Sequence, residues 1–505
     1  MPRSTQVTMS TYIRTFWLSH PEYWIAQGKQ QAIADRIIFD KFQAYDFTQE
    51  DDLGIIIYLD QFMRHFSRIQ AVSESLIHEC RIHAASVMEH LDSEQRNALL
   101  ESEFVWYLMP WKHLQQWKPI FQTIDAWTQG QSITKFPHLN RFFMDTYRKA
   151  YTSAAVSEML HLAPPTTPTY DPDEICESHP AELCWATHTI PPTTKKLLDA
   201  LDVSEPMTIS LSGGVDSMVM AALLKRKGAD VVAAHIVYGN RQESTAEQNF
   251  ITTFCQKLGI PLYIYKVEWL RRSTCDRAFY EEMTRQLRFS VYKALERPAF
   301  LGHIQEDAVE NVWTNFAKGT HLDNLVKFQA VATEDGVQIC RPWLPIKKYL
   351  IYETAEALGI PHLKNTTPAW SNRGKFRTEF YAATHIQYGE NIDEKVLEVA
   401  ERLRNQATLL DRLLYEPIRK SWNPANRRLN ITPAVKAEIN AEAWQTILTD
   451  LTHTRLGIGK PSFAAASDFA GRIGRVNTNG HHMCLRKDFV VRIIRLGEEV
   501  YLEVK

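Results

Sequence analysis

Six consecutive residues, Ser212-Gly213-Gly214-Val215-Asp216-Ser217, put two hydroxyls, two glycines and a carboxylate at one sharp corner of the chain. The corner separates the apolar run "MTISLS" from the helix-like run "SMVMAALLKRKG". At a strand-to-helix junction of this kind, glycines let the backbone approach a ligand closely. The N–H groups of the helix's first turn, with the positive end of its dipole, then favour an anion. A phosphate chain is the guest best matched to that pattern. The corner lacks the Gly-Lys-Ser/Thr of a Walker A loop, which disfavours a Walker-type NTPase. A tight turn with no ligand would carry the same glycines.

A second group of ionisable residues lies in "FLGHIQEDAVENVWTNFAKGTHLDNL". A strand is expected to end near His303, with a helix after it on which Asp307, Glu310 and Asn311 share a face. Two carboxylates one turn apart suit an ammonium group, while carboxylates near a helix start also simply favour its dipole. Arg288 in "RQLR", Arg341 before Pro342, and Arg373 and Arg377 in "SNRGKFR" supply cations for phosphates, or else solvated faces.

The elements that must position these groups fall into sections. Residues 1–158 read as helices: "DDLGIIIYLDQFMRHFSRIQ" has its apolar residues at three-and-four spacing. Six of the 13 tryptophans precede residue 130, which suits the core of a helical bundle. Seven prolines between Pro164 and Pro192 exclude a regular helix or central strand and mark a linker or extended arm over 159–194. Over 195–390 the strands "MTISLS", "VVAAHIV", "PLYIYKV" and "AFLGHI" alternate with helices, the pattern of a parallel sheet buried on both faces. The fold class is therefore α/β, with an all-helical section before the sheet. Residues 391–505 read as further helices ending in "FVVRIIRLGEEVYLEVK", a hairpin or short sheet.

Two stretches resemble known families. "GIIIYLDQFMRHFSR" followed by "FVWYLMPWKHLQQW" is similar to the uncharacterised bacterial DUF924 family, a helical-repeat fold like that of tetratricopeptide proteins. Leu59, Asp60, Gln61, Phe62 and Arg64 follow that family's pattern; His65 departs from it, and its later His-Ser-Glu is His113-Leu114-Gln115. The likeness implies a fold and a protein partner for this section. Ser212–Ser217 matches the Ser-Gly-Gly-x-Asp-Ser signature of the PP-loop N-type ATP pyrophosphatases. "EEMTRQLRFSVYKAL", "GHIQEDAVEN", "RPWLPIKK" and "SNRGKFR" follow in the order and spacing of tRNA(Ile)-lysidine synthetases, and "GKPSF" resembles part of their C-terminal domain. That family's Asp and Thr are here Glu306 and Asn311, and its Arg-Gly is Lys318-Gly319.

The second resemblance implies an adenine nucleotide alpha hydrolase-like sheet and a two-step reaction. O2 of a cytidine, the wobble base of isoleucine tRNA in the family, attacks the α-phosphate of ATP and pyrophosphate leaves. The ε-amino group of free L-lysine then displaces AMP at C2. By the same likeness Ser212, Gly213, Gly214, Val215, Asp216, Ser217 and His303 bind ATP, and Asp216 either orients the loop or holds Mg²⁺. Arg288 neutralises nucleotide charge, Asp307 and Glu310 hold the amine, and Lys318, Arg341, Arg373 and Arg377 meet RNA. Other readings are a cytidine thiolase, a different amine ligase, or a non-catalytic RNA-binding scaffold.

Composition bounds these readings. At 505 residues, 45% apolar and 23% charged, the chain has room for roughly three domains of ~150 residues. No run of 18 apolar residues appears, so no membrane span is expected. The seven cysteines include no Cys-x-x-Cys pair, which suits reduced thiols in the cytoplasm rather than a zinc site or disulfide framework. The N-terminal "MPRSTQVTMSTYIRTFWLSH" is free of acids, as transit peptides are, but has no secretory core and runs into helix-like Ile13, Phe16 and Trp17. Net charge is −2, yet Arg419–Arg495 holds 13 Lys/Arg against 5 Asp/Glu, a local +8 that suits a polyanion such as tRNA.

Overall fold

The computed structural model describes residues 9–24, 27–43, 52–70, 72–164, 176–178, 190–239, 244–320, 325, 328–363, 372–476, 479–486 and 489–504. Most of the proline-rich linker (165–175 and 179–189) lies outside them. The chain divides into two compact units, Met1–Ile304 with Ala330–Thr366, and Gln305–Gln329 with Thr367–Lys505.

The first unit is built on a seven-stranded sheet. Its strands are β1 (His161–Leu162), β3 (Met207–Ser210), β4 (Val231–Val237), β5 (Leu262–Lys266), β6 (Ala299–Phe300), β7 (Val331–Glu334) and β8 (Val337–Cys340), and a separate pair joins β2 (Cys176–Ser178) to β9 (His362–Leu363). The order is β1-β5-β4-β3-β6-β8-β7. β3 pairs in parallel with β4 and β6, β4 with β5, and β6 with β8; only the edges, β1 and β7, run antiparallel. The chain leaves β3 toward β4 and β5, then returns to β6 on the other side. The carboxyl end of β3 is therefore the topological switch point, where α/β sheets leave a crevice.

The helix Val215–Arg226 follows that end, and Met218 to Leu224 are fully buried along it. A helix apolar all round must be covered on every side. Here β3, the neighbouring strands and the helix Lys348–Leu358 provide the cover. The expected "AFLGHI" strand is shorter than its apolar run: pairing stops at Phe300, and Leu301–Ile304 form a connection.

Helices occupy most of the described residues from Met9 to Met159, and they share one apolar core with the sheet section. Phe143 and Tyr147 pack against Phe279, and Phe121 against Trp269; Tyr151, Met283 and Leu287 belong to the same core. Polar contacts cross the same boundary. Ile133 N–H donates to the Thr274 carbonyl at 2.8 Å, Tyr147 Oη–H to the Glu268 carbonyl at 3.0 Å, and Arg148 pairs with Glu282 at 3.1 Å. These helices are thus packed onto the helix Arg277–Ala294 rather than hung on a linker.

The second unit ends in a four-stranded antiparallel sheet, ordered β10 (Arg428–Asn430), β13 (Glu499–Val504), β12 (Phe489–Leu496), β11 (His481–Arg486). Strands β12 and β13 are the hairpin read from the terminal residues. Its inward residues Val491, Ile493 and Leu502 are buried against Trp444, Leu448 and Phe469. Among the described residues, no helix is long and apolar enough to cross a membrane.

Candidate functional site

The Ser212–Ser217 corner is held by its own hydroxyls. Ser217 Oγ donates to the Gly214 carbonyl at 3.0 Å and accepts the Ser212 N–H at 3.2 Å. Ser212 Oγ accepts the Gly214 N–H at 3.4 Å and lies 3.2 Å from Ser217 Oγ. Gly213 has φ +82°, and a Cβ on it would stand 2.3 Å from Leu363 Cδ1. Its carbonyl also accepts the Leu363 N–H at 2.9 Å. Glycine is therefore required there by both conformation and space. The N–H groups of Val215, Asp216 and Ser217 open the helix, where no i−4 carbonyl exists within it to take them. The corner is thus a shaped backbone cradle with the positive helix end behind it, and its residues fit a phosphate chain.

Three neighbours of the corner were not legible as its partners in the sequence. Gly302 lies against the first helical turn, where a Cβ would stand 3.1 Å from Asp216 Cβ and 3.2 Å from Ser217 N. Buried His235, on β4, makes a 2.9 Å hydrogen bond through Nδ1 to the Leu211 carbonyl just before the corner. Burial holds its pKa below the usual imidazole value, so the ring is a neutral donor to that carbonyl. A histidine inside the apolar strand "VVAAHIV" is the signal that marks it. Lys348 Nζ donates to both oxygens of Asp216 at 2.7 Å, and each side chain is about a quarter exposed.

Asp216, expected to hold Mg²⁺, therefore already holds a cation. Among the described residues, no group of three or more His, Cys, Asp or Glu is placed to hold a metal ion. Arg288 lies exposed on the helix Arg277–Ala294, one turn before Tyr292, whose Oη–H donates to Ser210 Oγ at the end of β3 at 2.7 Å. Its charge acts on Tyr238, past the end of β4, opposing the burial that raises that phenol's pKa. His303 Nδ1 takes a 3.2 Å hydrogen bond from Arg341 Nε. Arg341, expected to meet RNA, is corrected by its surroundings. It is 2% exposed, and its guanidinium also binds Glu334 at 2.6 Å, leaving no face for a polyanion.

The remaining expected residues lie in the second unit. Asp307 and Glu310 do share a face of the helix Gln305–Ala317, but Arg373 and Arg377 cover it. Arg373 binds Asp307 through Nη2 and Glu310 through Nε at 3.2 Å; Arg377 binds the same two at 2.7 and 3.3 Å. Asp307 is nearly buried, whereas the arginines are 45% and 35% exposed on their outer sides. Burial raises the Glu310 carboxyl above its usual pKa; the two guanidiniums oppose that rise and Asp307 adds to it. Groups assigned separately to an amine and to RNA thus form one four-membered cluster. Lys318 is exposed just beyond that helix.

The basic C-terminal charge is also partly spent inside the fold. Arg419 pairs with Asp411, Lys420 with Glu416, Lys436 with Glu498, and Arg428 and Arg492 with Glu503. All four acids lie outside the 419–495 window. Over 391–505 the count is 18 Lys/Arg against 14 Asp/Glu, a net of +4 rather than the local +8. A cleft of about 660 Å³ in this part is lined by Asp411, Glu416, Arg419, Lys420, Trp422 and Arg455.

Residues 187–379 match the family model of the PP-loop domain, which supports the PP-loop family for this stretch of the chain. More particularly, the chain is similar to tRNA(Ile)-lysidine synthases. It is 28% identical to that of Chlamydia felis over 209 residues, 40% of this chain and 65% of the relative. It is 28% identical to that of Chlamydia pneumoniae over 222 residues, 41% of this chain and 69% of the relative. The chain thus spans about two thirds of the length of these curated relatives. Among solved structures, the U34-tRNA thiolase NcsA from Methanococcus maripaludis superposes with a TM-score of 0.36 at 18% identity, covering 42% of this chain and 78% of that one. NMN synthetase from Francisella tularensis gives 0.29 at 18% identity, covering 44% and 95%.

Proposed function

We propose that this chain is an ATP-using, tRNA-modifying ligase of the lysidine-forming kind. It adenylates O2 of a cytidine in tRNA, releasing pyrophosphate, and the ε-amino nitrogen of lysine then displaces AMP from C2. The observation that carries the reading is the glycine corner at the switch point of the sheet, in the stretch matched by the PP-loop family; the likeness to lysidine synthases over 209 residues supports it. ATP would supply the adenylyl group that makes the cytidine oxygen a leaving group.

The chain's own residues have separable tasks in this reading. The first-turn amides of Val215–Ser217 and the hydroxyls of Ser212 and Ser217 cradle phosphate oxygens with no reorganisation cost in a pre-shaped loop. Lys348 keeps the Asp216 carboxylate from repelling them, and Mg²⁺ arriving with the nucleotide would compete for that carboxylate. Arg288 offsets nucleotide charge, and His303, tied by Arg341, lines the nucleotide site. Asp307 and Glu310 take the ammonium of the incoming lysine in exchange for Arg373 or Arg377. The released guanidinium, with Lys318, then meets RNA phosphate, which positions without reading sequence. The helical section is DUF924-like with a partner of its own, and the enzyme works where tRNA and ATP are, in the cytoplasm. A thiolase reading fits less well, because burial pushes the Cys255 and Cys275 thiols up to about 12 and about 11, away from a nucleophilic thiolate.

Gly213→Ala tests the ATP half. The φ of +82° and the 2.3 Å approach to Leu363 forbid the added methyl, so the corner must open. Pyrophosphate release from ATP in the presence of tRNA is expected to vanish while the melting profile of the second unit stays. Release at the wild-type rate would remove the corner from the reaction.

A further inference from the structure

The helices between Met9 and Met159 bury ionisable groups that the sheet chemistry leaves unused. Asp35 and Asp60 are 4% and 1% exposed. Asp35 is fully answered: Arg68 binds it through Nε and Nη2 at 2.7–2.9 Å, Gln31 Nε2 donates at 2.9 Å, and His65 Nδ1 lies at 2.7 Å. Asp60 has no such guanidinium clamp. It accepts from His113 Nδ1 at 2.7 and 3.0 Å and from the Gln61 amide. Arg81 Nε stands 3.6 Å from Asp60, beyond hydrogen-bond reach, and it is buried with no hydrogen-bond partner among the described residues. Arg64 donates Nη1 to His113 Nε2 at 3.3 Å.

This arrangement leaves charge unbalanced. With the Asp35–Arg68 pair set aside, two guanidiniums, Arg64 and Arg81, face one carboxylate around the His113 ring, whose Nε2 accepts from Arg64, a local net of +1. Burial lowers the pKa of Arg64, Asp60 opposes this, and repulsion from Arg81 and Arg68 adds to the lowering. An orphaned guanidinium N–H and a like-charge pair both cost stability, and an oxyanion between them would relieve both. Asp60 also sits in a π-helical turn, Tyr58–Phe62, inside an otherwise α-helical run. Such turns recur at functional sites because they re-aim side chains.

We propose that Arg64, Arg81 and His113 form a second ligand site, in the N-terminal helices, that takes the phosphate group of a small phosphorylated molecule. The chemistry of the three groups selects phosphate over carboxylate. With Nδ1–H committed to Asp60, His113 Nε2 is an acceptor, and a singly protonated phosphate offers it a P–OH donor. The remaining phosphate oxygens take the planar forks of Arg64 and Arg81. A carboxylate offers acceptors only and leaves Nε2 facing Arg64. The site reaches solvent, since Arg81 and His113 are 22% and 19% exposed. It rests on none of the sheet residues, so it stands or falls apart from the proposed reaction.

The test titrates inorganic phosphate into the full chain in a calorimeter, with no nucleotide present and with Gly213→Ala as the control for phosphate held at the glycine corner. One saturable site is expected, weakened roughly tenfold or more in Arg64→Gln, Arg81→Gln and His113→Asn, as loss of one charge-assisted bond implies. Acetate is expected to bind at least about tenfold more weakly than phosphate. Arg64→Lys, which keeps the charge but loses the fork, should weaken phosphate binding while retaining the wild-type melting temperature. That variant decides the matter if Arg64→Gln does not fold. The proposal is overturned if no saturable binding is seen, if Arg81→Gln binds phosphate as wild type does, or if acetate matches phosphate.

Discussion

Lys348→Gln should cripple ATP binding through a residue that need not touch ATP. Asp216 sits in the first turn of the corner helix, and its carboxylate is neutralised by Lys348 Nζ at 2.7 Å from both oxygens. Without that ammonium, a bare carboxylate faces the incoming phosphates. At about 5 Å and an effective dielectric constant of about 20, one such charge repels one phosphate charge by about 3 kcal/mol. Both side chains are about a quarter exposed, so solvent and salt reduce this to about 1.5–2 kcal/mol. That corresponds to ATP binding weakened roughly 10- to 30-fold. The assay is equilibrium binding of a non-hydrolysable ATP analogue, without Mg²⁺ to replace the ammonium at Asp216, to wild type, Lys348→Gln, Asp216→Asn and the double variant, each checked by thermal melting. If repulsion is the cause, Asp216→Asn in the Lys348→Gln background removes it, and binding returns to within a few-fold of wild type. Unchanged binding in Lys348→Gln, or a double variant as weak as the single one, would refute the electrostatic account.

Two further outcomes follow from the helical section. Burial, only partly offset by Asp35, depresses His65 to about 4, below its value in the unfolded chain. The unfolded state therefore binds more protons between about pH 6.5 and 4, so stability is full above 6.5 and falls by about 3 kcal/mol as pH drops through that window. His65→Gln should flatten that part of a chemical-denaturation series read by tryptophan fluorescence; an unchanged slope would exclude His65 as its source. Removing residues 1–189 strips the cover from the helix Arg277–Ala294, exposing Phe279, Met283 and Leu287, each worth about 1.5–3 kcal/mol of burial. The shortened chain is expected to aggregate or to lose pyrophosphate release, and a soluble, fully active fragment would show that the shared core is dispensable.

What the sequence disclosed depended on how local each feature was. The corner, the continuous apolar strands around it and the terminal hairpin are short-range patterns, and β3, β4, β5 and the β12–β13 pair lie where those patterns put them. Contacts across long separations left no such trace. Lys348 meets Asp216 over 132 positions, and Arg373 and Arg377 reach Asp307 over 66 and 70. Arg341 shows its charge in the sequence but not its burial, because an arginine before a proline reads alike in a core and on a surface. The basic window overstates the charge of its section for a related reason: Asp411, Glu416, Glu498 and Glu503 lie just beyond its ends yet pair with residues inside it. The shared core of helices and sheet was hidden too, since amphipathic spacing says that a face is buried and not against what.

An ATP-driven exchange at a cytidine is reported directly by the product nucleoside. The purified full chain is incubated with bulk bacterial tRNA, ATP and isotopically labelled amino acids, and the digested nucleosides are read by mass spectrometry. The expected product is a cytidine carrying labelled lysine in place of its C2 oxygen, formed in equal amount with AMP and pyrophosphate and absent without ATP. Pyrophosphate release with no amino acid on any nucleoside would contradict it.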